Sequence, residues 1–169
     1  MAKSDSFFIR AQTAFNGTTF AQTGIDLGAY VDALGKSVLR IHNVQVQWGS
    51  ALEDATGASG LDTVNAFQLT TQSQGSMVDI TDKSVIATGK IQTGLAGGGA
   101  TALNYISETL DIAPQHWTQG YLVGVEQIYL GVQSNNATAN GLTACSIMME
   151  CTVETLSSSA AMALALSQQ

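Results

Sequence analysis

The sequence is short of charge. Only 11% of its 169 residues are Asp, Glu, Lys or Arg, well below the usual quarter, while its hydrophobic content of 45% is ordinary for a globular protein. Its polar surface must therefore come from Ser, Thr, Asn, Gln and Gly. Because amides and hydroxyls cost less to bury than ions, such a surface suits extensive protein–protein contact. An uncharged surface is also typical of a secreted β-domain, which stays open as an alternative.

Basic residues are the scarcest of the charged ones. Six Lys and Arg stand against 13 Asp and Glu, which gives a net charge of −7. The bases are spread along the chain and form no run: Lys3, Arg10, Lys36, Arg40, Lys83 and Lys90. Binding to nucleic acid by counterion release needs clustered bases, and so does binding to an anionic membrane surface. We therefore expect no strong direct nucleic-acid binding and no polybasic membrane patch.

Long apolar runs are also absent. No run approaches the roughly 20 residues that a membrane span requires, and residues 1–10 hold no apolar stretch long enough for a signal peptide. We expect no membrane insertion and no export by the common route, so the Asn-X-Thr sequences at Asn16 and Asn136 are interpreted as turns. The length favours one domain over residues 1–169, with a short N-terminal arm at residues 1–5.

Cysteine occurs only at Cys145 and Cys151. Both lie in a segment of strict alternation, where extended chain would hold them about 20 Å apart. A disulfide needs Cα atoms within about 7 Å, so the strand excludes a bond between them. A metal site would need further Cys or His nearby in the sequence, and none is there. We expect buried, reduced thiols that act as small hydrophobic residues.

Histidine is equally rare, with His42 inside a predicted strand and His116 in a loop. One isolated imidazole completes no catalytic constellation, so each is interpreted as a structural or surface residue. The glycine run at residues 97–99 lacks the Lys-Ser/Thr ending and the strand-then-helix setting of a phosphate-binding loop. The serines show no nucleophile-elbow pattern.

Carboxylates are scattered. Glu150 and Glu154 share the outward face of one predicted strand at about 13 Å, too far apart for either kind of glycosidase pair. Asp79 and Asp82 lack the ligand density of an EF-hand, so they predict a solvated turn. The sequence thus predicts no enzyme, no metal site and no cofactor site.

The clearest strand is Thr143–Thr155. Its inward set is Cys145, Ile147, Met149, Cys151 and Val153, and its outward set is Ser146, Met148, Glu150, Thr152 and Glu154. A period of two held for about a dozen residues predicts a strand with one face in a core and one in water. Residues 121–132 form a second apolar strand candidate. These two segments are expected to be the spine of an all-β domain.

The first half of the chain holds two more patterned strands. Residues 6–15 predict the first, and Asn16-Gly17 after it is the strongest short hairpin signal in the sequence. Residues 38–48 alternate with a change of phase, since Leu39 and Ile41 lie on the opposite face from Val44. A bulge near His42 would reconcile the two halves, and so would burial of both faces at one end.

Further strands are predicted at residues 63–74, 83–93 and 105–112, with a brief pairing at 77–80. In the first of these, Phe67 faces inward and Gln68 and Thr70 face outward. Residues 25–35 predict a short helix, and residues 157–169 predict a short helix or an extended tail. About eight strands with little helix predict an all-β, single-domain, eight-stranded jelly-roll-type β-sandwich or barrel with one or two short helices.

These segments carry a resemblance to a known family. The strand at residues 7–15, the insertion at 25–31, the strand at 38–48 and the closing pair at 121–132 and 142–156 resemble the small single jelly-roll major capsid proteins of icosahedral viruses and phages. The resemblance implies a structural virion protein, made in the host cytoplasm, that self-assembles into the shell through lateral contacts and touches other virion proteins. The expected contact regions are residues 49–62, 95–104 and 160–169, which are rich in small residues and poorly charged.

The chain departs from this family at its N-terminus. Many capsid proteins carry a basic arm that binds packaged genome, whereas residues 1–10 hold only Lys3 and Arg10, and Asp5 partly offsets them. A shell built over an internal membrane, or loading of a preformed shell, fits this departure better than genome packaging by the arm.

Three other functions stay open. The chain could be another virion component, such as a decoration, spike-base or tail-tube subunit. A carbohydrate-binding β-sandwich would need exposed aromatic residues, for which Tyr30, Trp48, Trp117 and Tyr121 are the candidates. An enzyme of the cupin sort would need clustered histidine metal ligands, and two distant histidines argue against it.

Overall fold

The computed structural model describes residues 3–32, 36–49, 62–95, 103–137 and 142–169. These residues form nine strands and one α-helix. The strands are β1 (Phe7–Phe15), β2 (Ala21–Asp26), β3 (Ser37–Trp48), β4 (Thr63–Thr70), β5 (Val85–Leu95), β6 (Leu103–Ile112), β7 (Tyr121–Val123), β8 (Gln127–Ser134) and β9 (Thr143–Thr155), and the helix is α1 (Ser158–Ser167). The expectation of an all-β sandwich is confirmed, with nine strands in this part of the chain where about eight were predicted.

The strands pair into two antiparallel sheets. The four-stranded sheet has the order β1-β9-β3-β7, and the five-stranded sheet has the order β2-β8-β4-β5-β6. Strand β9 lies between β1 and β3 and pairs with both along most of its length. The predicted spine strand at Thr143–Thr155 is therefore the centre of its sheet.

The core lies between the sheets and follows the alternation of the strands. Met149 of β9, Ile41 of β3, and Phe67 and Leu130 of the opposite sheet are buried there. Cys145 and Cys151 are buried free thiols on the same inward face, as the sequence predicts. Burial raises the pKa of both Cys145 and Cys151 to about 12, so neither thiol ionises near neutral pH.

The change of phase in β3 is a β-bulge. The pairing with β9 shifts between Ile41, which lies opposite Cys151, and Asn43, which lies opposite Glu150. His42 is thus the extra residue, and it lets Ile41 and Val44 both face the core. The predicted bulge near His42 is confirmed.

The predicted hairpin at Asn16-Gly17 is wrong. The chain does turn there, with Gly17 in the left-handed region at φ 66°. However, β1 pairs with β9 and β2 pairs with β8, so the turn carries the chain from one sheet to the other. The sequence predicts the turn itself correctly, but it does not predict the pairing, because the partner of each flanking strand lies more than 100 residues away.

The second spine segment, residues 121–132, is two strands and not one. Strand β7 pairs with β3 in the four-stranded sheet, and β8 pairs with β2 and β4 in the other. Gly124 lies at the crossing, where an added Cβ would come 3.0 Å from Leu164 of α1. The glycine therefore allows the terminal helix to approach the point where the chain changes sheets.

The predicted helix at residues 25–35 is also wrong in the part that the structure describes. Ile25 and Asp26 end β2, and a single turn follows, closed by a bond from Val31 N to Leu27 O at 2.9 Å. The predicted stop at Gly35 lies outside the described residues. Residues 77–80 form no strand, and the strand predicted from residue 63 ends at Thr70.

The two ends of the chain pack on the sandwich. Ser157 caps α1 by accepting a hydrogen bond from Ala160 N at 3.3 Å, so the helical alternative for the tail is confirmed. No helix among the described residues is long and apolar enough to cross a membrane. At the other end, Ser4 N donates to Val153 O at 3.0 Å, which extends the pairing of β1 with β9 into the predicted arm.

Candidate interaction surface

The outer face of the four-stranded sheet holds a shallow concavity of about 570 Å³. Its outward side chains form two rows across β1, β9 and β3, set by the strand register. These rows are Arg10–Met148–Gln45 and Gln12–Ser146–Gln47. Because five of these six side chains are uncharged, the concavity can be dehydrated by a protein partner at low cost.

Hydrogen bonds hold the amides of this face in place. Gln12 Nε2 donates to Ser146 Oγ at 2.9 Å, and Gln45 Nε2 donates to Asn43 Oδ1 at 3.0 Å. At the margin, Phe8 is 52% exposed and the Arg10 guanidinium lies 5.9 Å from the centre of its ring. We define the bare face as Phe8 together with the two rows.

One end of the same outer face is covered and charged. Arg40 binds Glu154 through two hydrogen bonds, Nε to Oε1 at 2.7 Å and Nη2 to Oε2 at 2.8 Å, and also donates to the backbone oxygen of Gln119. The Arg40 hydrogen bonds hold the pKa of the Glu154 carboxyl below its usual value. The pair can fix the register of β3 against β9, because both oxygens of the Glu154 carboxylate accept a hydrogen bond from Arg40.

The expectation that Glu154 lies on a solvated face is therefore wrong, since Glu154 is 6% exposed. Alternation does place it on the outer face, but Arg40 engages both of its carboxylate oxygens there, and the backbone of Lys3 forms an isolated β-bridge with it. Glu150, four residues earlier, remains partly exposed. The two carboxylates thus lie in different surroundings and do not act as a pair.

His42 lies beside the ion pair. Its Nε2 is 2.9 Å from Thr152 Oγ1, and burial lowers the pKa of its imidazole, with Lys3 and Arg40 lowering it further and Glu150 and Glu154 opposing them. His116 is exposed and lies in a 3-10 turn, Pro114–His116. Each histidine therefore occupies a structural or surface position.

The remaining carboxylates serve turns and the surface. Asp82 accepts from both the backbone N and the Oγ of Ser84, at 2.8 and 2.7 Å, and these bonds lower the pKa of the Asp82 carboxyl. Asp111 lies 3.8 Å from Lys90 in an exposed ion pair. Within the described ranges, no group of three or more His, Cys, Asp and Glu could hold a metal ion.

The outer face of the five-stranded sheet is covered by the chain itself. Gln68 of β4 is fully buried beneath residues 71–84, where its Nε2 donates to Ser76 O at 3.1 Å and its Oε1 accepts from Val78 N at 2.7 Å. Gln22 of β2 binds the same segment through Ser73 Oγ and Gln74 N. Gln68 and Thr70 lie on the face opposite Phe67, as the alternation predicts, but both are buried because the segment that follows β4 folds back over them.

Glutamine amides bind backbone groups elsewhere in the same manner. Gln115 engages both the N–H and the C=O of Val44, at 3.1 and 3.0 Å. Gln168 accepts from Gly124 N at 2.8 Å and donates to Leu122 O at 2.7 Å. Each amide thus replaces a missing strand neighbour, since it carries one donor and one acceptor just as a peptide does. Sequence reasoning missed these residues because no local pattern distinguishes them from surface glutamines.

The four aromatic candidates for a sugar-binding surface are not brought together. Tyr30 stacks on Phe7 with ring centres 4.7 Å apart, and Trp48 packs edge-on against Phe67 at 6.0 Å. Tyr121 is half-buried, and burial raises the pKa of its hydroxyl. Trp117 is exposed, and no ring contact between described residues joins it to the other three.

Of the three predicted contact regions, only the terminal one can be described. Residues 50–61 and 96–102, which make up most of the two loops, lie outside the described residues. In the terminal region, α1 buries Ala161 and Ala165 and exposes Met162 and Leu166. The predicted region is thus partly an internal contact and partly exposed.

Comparison with known proteins gives little. No protein-family model and no curated protein matches the chain. Among solved structures, it is similar to one described as "Insight into Three-dimensional structure of Maize Chlorotic Mottle Virus Revealed by Single Particle Analysis", with 11% identity and a TM-score of 0.35 over 91% of this chain and 96% of that chain. A likeness at this level carries no argument about the fold or function of this chain.

Proposed function

We propose that the chain is a non-catalytic structural subunit of a virus particle, a coat protein that assembles with copies of itself through lateral contacts. The observation that carries this proposal is the combination of its strand wiring with a bare face whose side chains, apart from Arg10, are uncharged. Its partners are other copies of the chain and other proteins of the virion, and its place is the virion, after synthesis in the host cytoplasm.

The strand wiring supports a jelly roll with one added strand. With β6 set aside, the pairs nest from the outside inward: β1 with β9, β2 with β8, β3 with β7 and β4 with β5. This nesting is what results when one long antiparallel hairpin is rolled into two sheets. Eight-stranded double-sheet jelly rolls occur in viral capsid proteins, lectin domains and cupins, so the wiring alone does not select a function.

The side chains on the surface favour one of these functions. A lectin would need a shared aromatic surface and a cupin would need clustered metal ligands, and neither is supported by the placement of the candidates described above. The bare face offers Phe8 and Met148 among uncharged amides, which is the composition of a protein contact. Assembly with other protein surfaces uses these features, whereas catalysis uses none of them.

The N-terminal segment supports a shell that does not package its genome through an arm. Ser4 is bound to Val153 of β9, and the backbone of Lys3 forms an isolated β-bridge with that of Glu154, so the chain from residue 3 onward is paired with the sheet. We propose that the shell encloses an internal membrane or is loaded after it forms.

Size measurement tests the proposal. The purified protein is examined by light scattering and negative-stain electron microscopy, with and without nucleic acid, at low and high salt. We expect closed shells that form without nucleic acid and tolerate salt. Tubes or isolated trimers would instead indicate a tail-tube, decoration or spike-base subunit. A stable monomer at high concentration contradicts the structural role, and strict dependence on nucleic acid contradicts loading of a preformed shell.

A further inference from the structure

Each sheet has two outermost strands in the part of the chain that the structure describes: β1 and β7 in one, β2 and β6 in the other. Proteins protect such edges by keeping them short, charged or covered. Strands β7 and β2 are short, with three and six residues, whereas β1 has nine and β6 has ten. No backbone hydrogen bond between described residues reaches the outer edge of β1 or of β6.

The two long edges present matching side chains of opposite charge. On β1, Phe8 is 52% exposed and Arg10 is exposed without an ion pair among the described residues. On β6, Ile106 is 58% exposed and Glu108 is exposed, again without an ion pair within the described ranges. In both strands the apolar and the charged residue are two positions apart, so they share one face of the strand.

We propose that β1 of one copy pairs with β6 of the next copy to form a continuous sheet across the contact. A parallel pairing that sets Phe8 beside Ile106 also sets Arg10 beside Glu108, because the spacing is the same on both strands. This inference rests on the proposed self-assembly and names the surfaces that carry it.

Pairing between like edges is disfavoured. Two β6 edges would bring Glu108 of one copy near Glu108 of the other, and two β1 edges would do the same with Arg10, and like charges on paired strands repel. When β1 of one copy pairs with β6 of a second copy, β6 of the first copy and β1 of the second copy stay free. The contact therefore repeats from copy to copy and builds rings or larger closed assemblies where the rotation closes.

A charge-reversal pair tests the contact. Arg10→Glu gives a chain with two negative edges, and Glu108→Arg gives a chain with two positive edges. We expect each variant alone to lose assembly by about tenfold or more at a fixed concentration, because like charges meet across the contact. The double variant Arg10→Glu/Glu108→Arg is expected to recover assembly in rings of any number, since every β1 edge then meets a β6 edge of opposite charge. An equimolar mixture of the two single variants is expected to recover it where the variants alternate.

The matched controls are Lys36→Glu and Glu126→Arg, which make the same changes of charge at exposed positions outside β1 and β6. Both are expected to assemble as the unaltered protein does. Thermal unfolding of every variant separates lost assembly from lost folding. Assembly is read from light scattering of the single variants and of their mixture.

Disulfide trapping tests the register. Cysteine is placed at Phe8 in one preparation and at Ile106 in another, and the two are mixed under mild oxidation. The native thiols stay silent because both are buried and ionise only at about pH 12. We expect a crosslink between Phe8→Cys and Ile106→Cys chains. A crosslink between Gln12→Cys and Ile106→Cys chains instead would overturn the parallel register.

The outcomes separate this inference from the proposed function. If the unaltered protein assembles but neither the double variant nor the mixture does better than each single variant alone, the edge contact is wrong and the coat-protein proposal stands. If the unaltered protein stays monomeric, both are wrong. Recovery in the mixture together with the Phe8–Ile106 crosslink supports the edge contact.

Discussion

The two outer faces of the sandwich differ in what covers them. The five-stranded sheet lies beneath residues 71–84, and Phe20 lies over Gly131, where an added Cβ would come 2.7 Å from its ring. In the part of the chain that the structure describes, the four-stranded sheet buries outer side chains at the end where Arg40 and Glu154 meet, and its middle is the bare face. Both outer faces carry uncharged polar side chains such as Gln68 and Gln47, so composition alone does not decide which of them meets a partner.

The difference is made by distant segments of the same chain. Gln68 and Gln47 are the same residue type, each on the outer face of a long strand. Gln68 is fully buried and binds two backbone groups of the covering segment, whereas Gln47 is exposed. A glutamine-rich surface therefore contains two populations, one that replaces backbone partners and one that is left for contact with other molecules.

The largest expected effect comes from removing Arg40 at the covered end. Arg40→Ala would leave the Glu154 carboxylate buried without its cation, so we expect the free energy of unfolding to fall by about 3–5 kcal/mol. Denaturant unfolding measures it. The control is Lys90→Ala, which removes an exposed ion pair and is expected to cost about 0–1 kcal/mol. Equal losses in the two variants would show that the Arg40 end is as well solvated as the Lys90 surface.

The next largest effect distinguishes the two glutamines. Gln68→Ala removes two part-buried hydrogen bonds and leaves a cavity in place of a fully buried side chain, so we expect a loss of about 2–4 kcal/mol. Gln47→Ala is expected to stay within about 0.5 kcal/mol. Residues 71–84 should also become more open to hydrogen exchange in Gln68→Ala alone. If the two variants unfold at the same denaturant concentration, the covering segment is held by something other than Gln68.

The strand pattern explains why the sequence predicted the sheets better than the surface. Alternation along β9 and the change of phase at His42 are local signals, and both gave the correct strand and the correct bulge. Alternation also placed Gln68 and Glu154 on outer faces correctly. It failed to predict their burial, because the segments that cover them are not encoded in the pattern of the strand itself.

The sequence failed to predict which strands pair for the same reason. Local signals predict a hairpin at Asn16-Gly17 and a single strand at residues 121–132. In the structure each carries the chain across the sandwich, since pairing with β8, β9 and β3 overrides the local signal. Which outer face is left bare depends on where the covering segments pack, and the pattern of the strands does not encode that.

A smaller effect depends on pH at the covered end. The pKa of His42 is lowered in the folded protein, mainly by burial, so the unfolded chain takes up a proton first as the pH falls below 6.5. Stability from this group is present above pH 6.5 and is lost on acidification toward the folded pKa. His42→Gln should flatten the dependence of unfolding on pH in this window, which thermal unfolding at a series of pH values measures.

The control for His42 is His116→Gln, which alters an exposed imidazole and should keep the dependence of the unaltered protein. Glu154 adds a separate loss at lower pH, because its pKa is held below 4.5 in the folded protein. A pH profile that flattens equally in both histidine variants would contradict the covered position of His42.

The last and smallest loss of stability is expected for Met148→Ala at the centre of the bare face, and the neighbouring Met149 provides the comparison. Met149 is fully buried, so Met149→Ala should cost about 2–5 kcal/mol. Met148 is one position earlier on the same strand, is half-buried and lines the concavity, so Met148→Ala should cost under about 1 kcal/mol. Denaturant unfolding of the unassembled chain gives both values. A loss at Met148 as large as that at Met149 would mean that Met148 is packed against its own chain, and the face would then be unavailable to a partner.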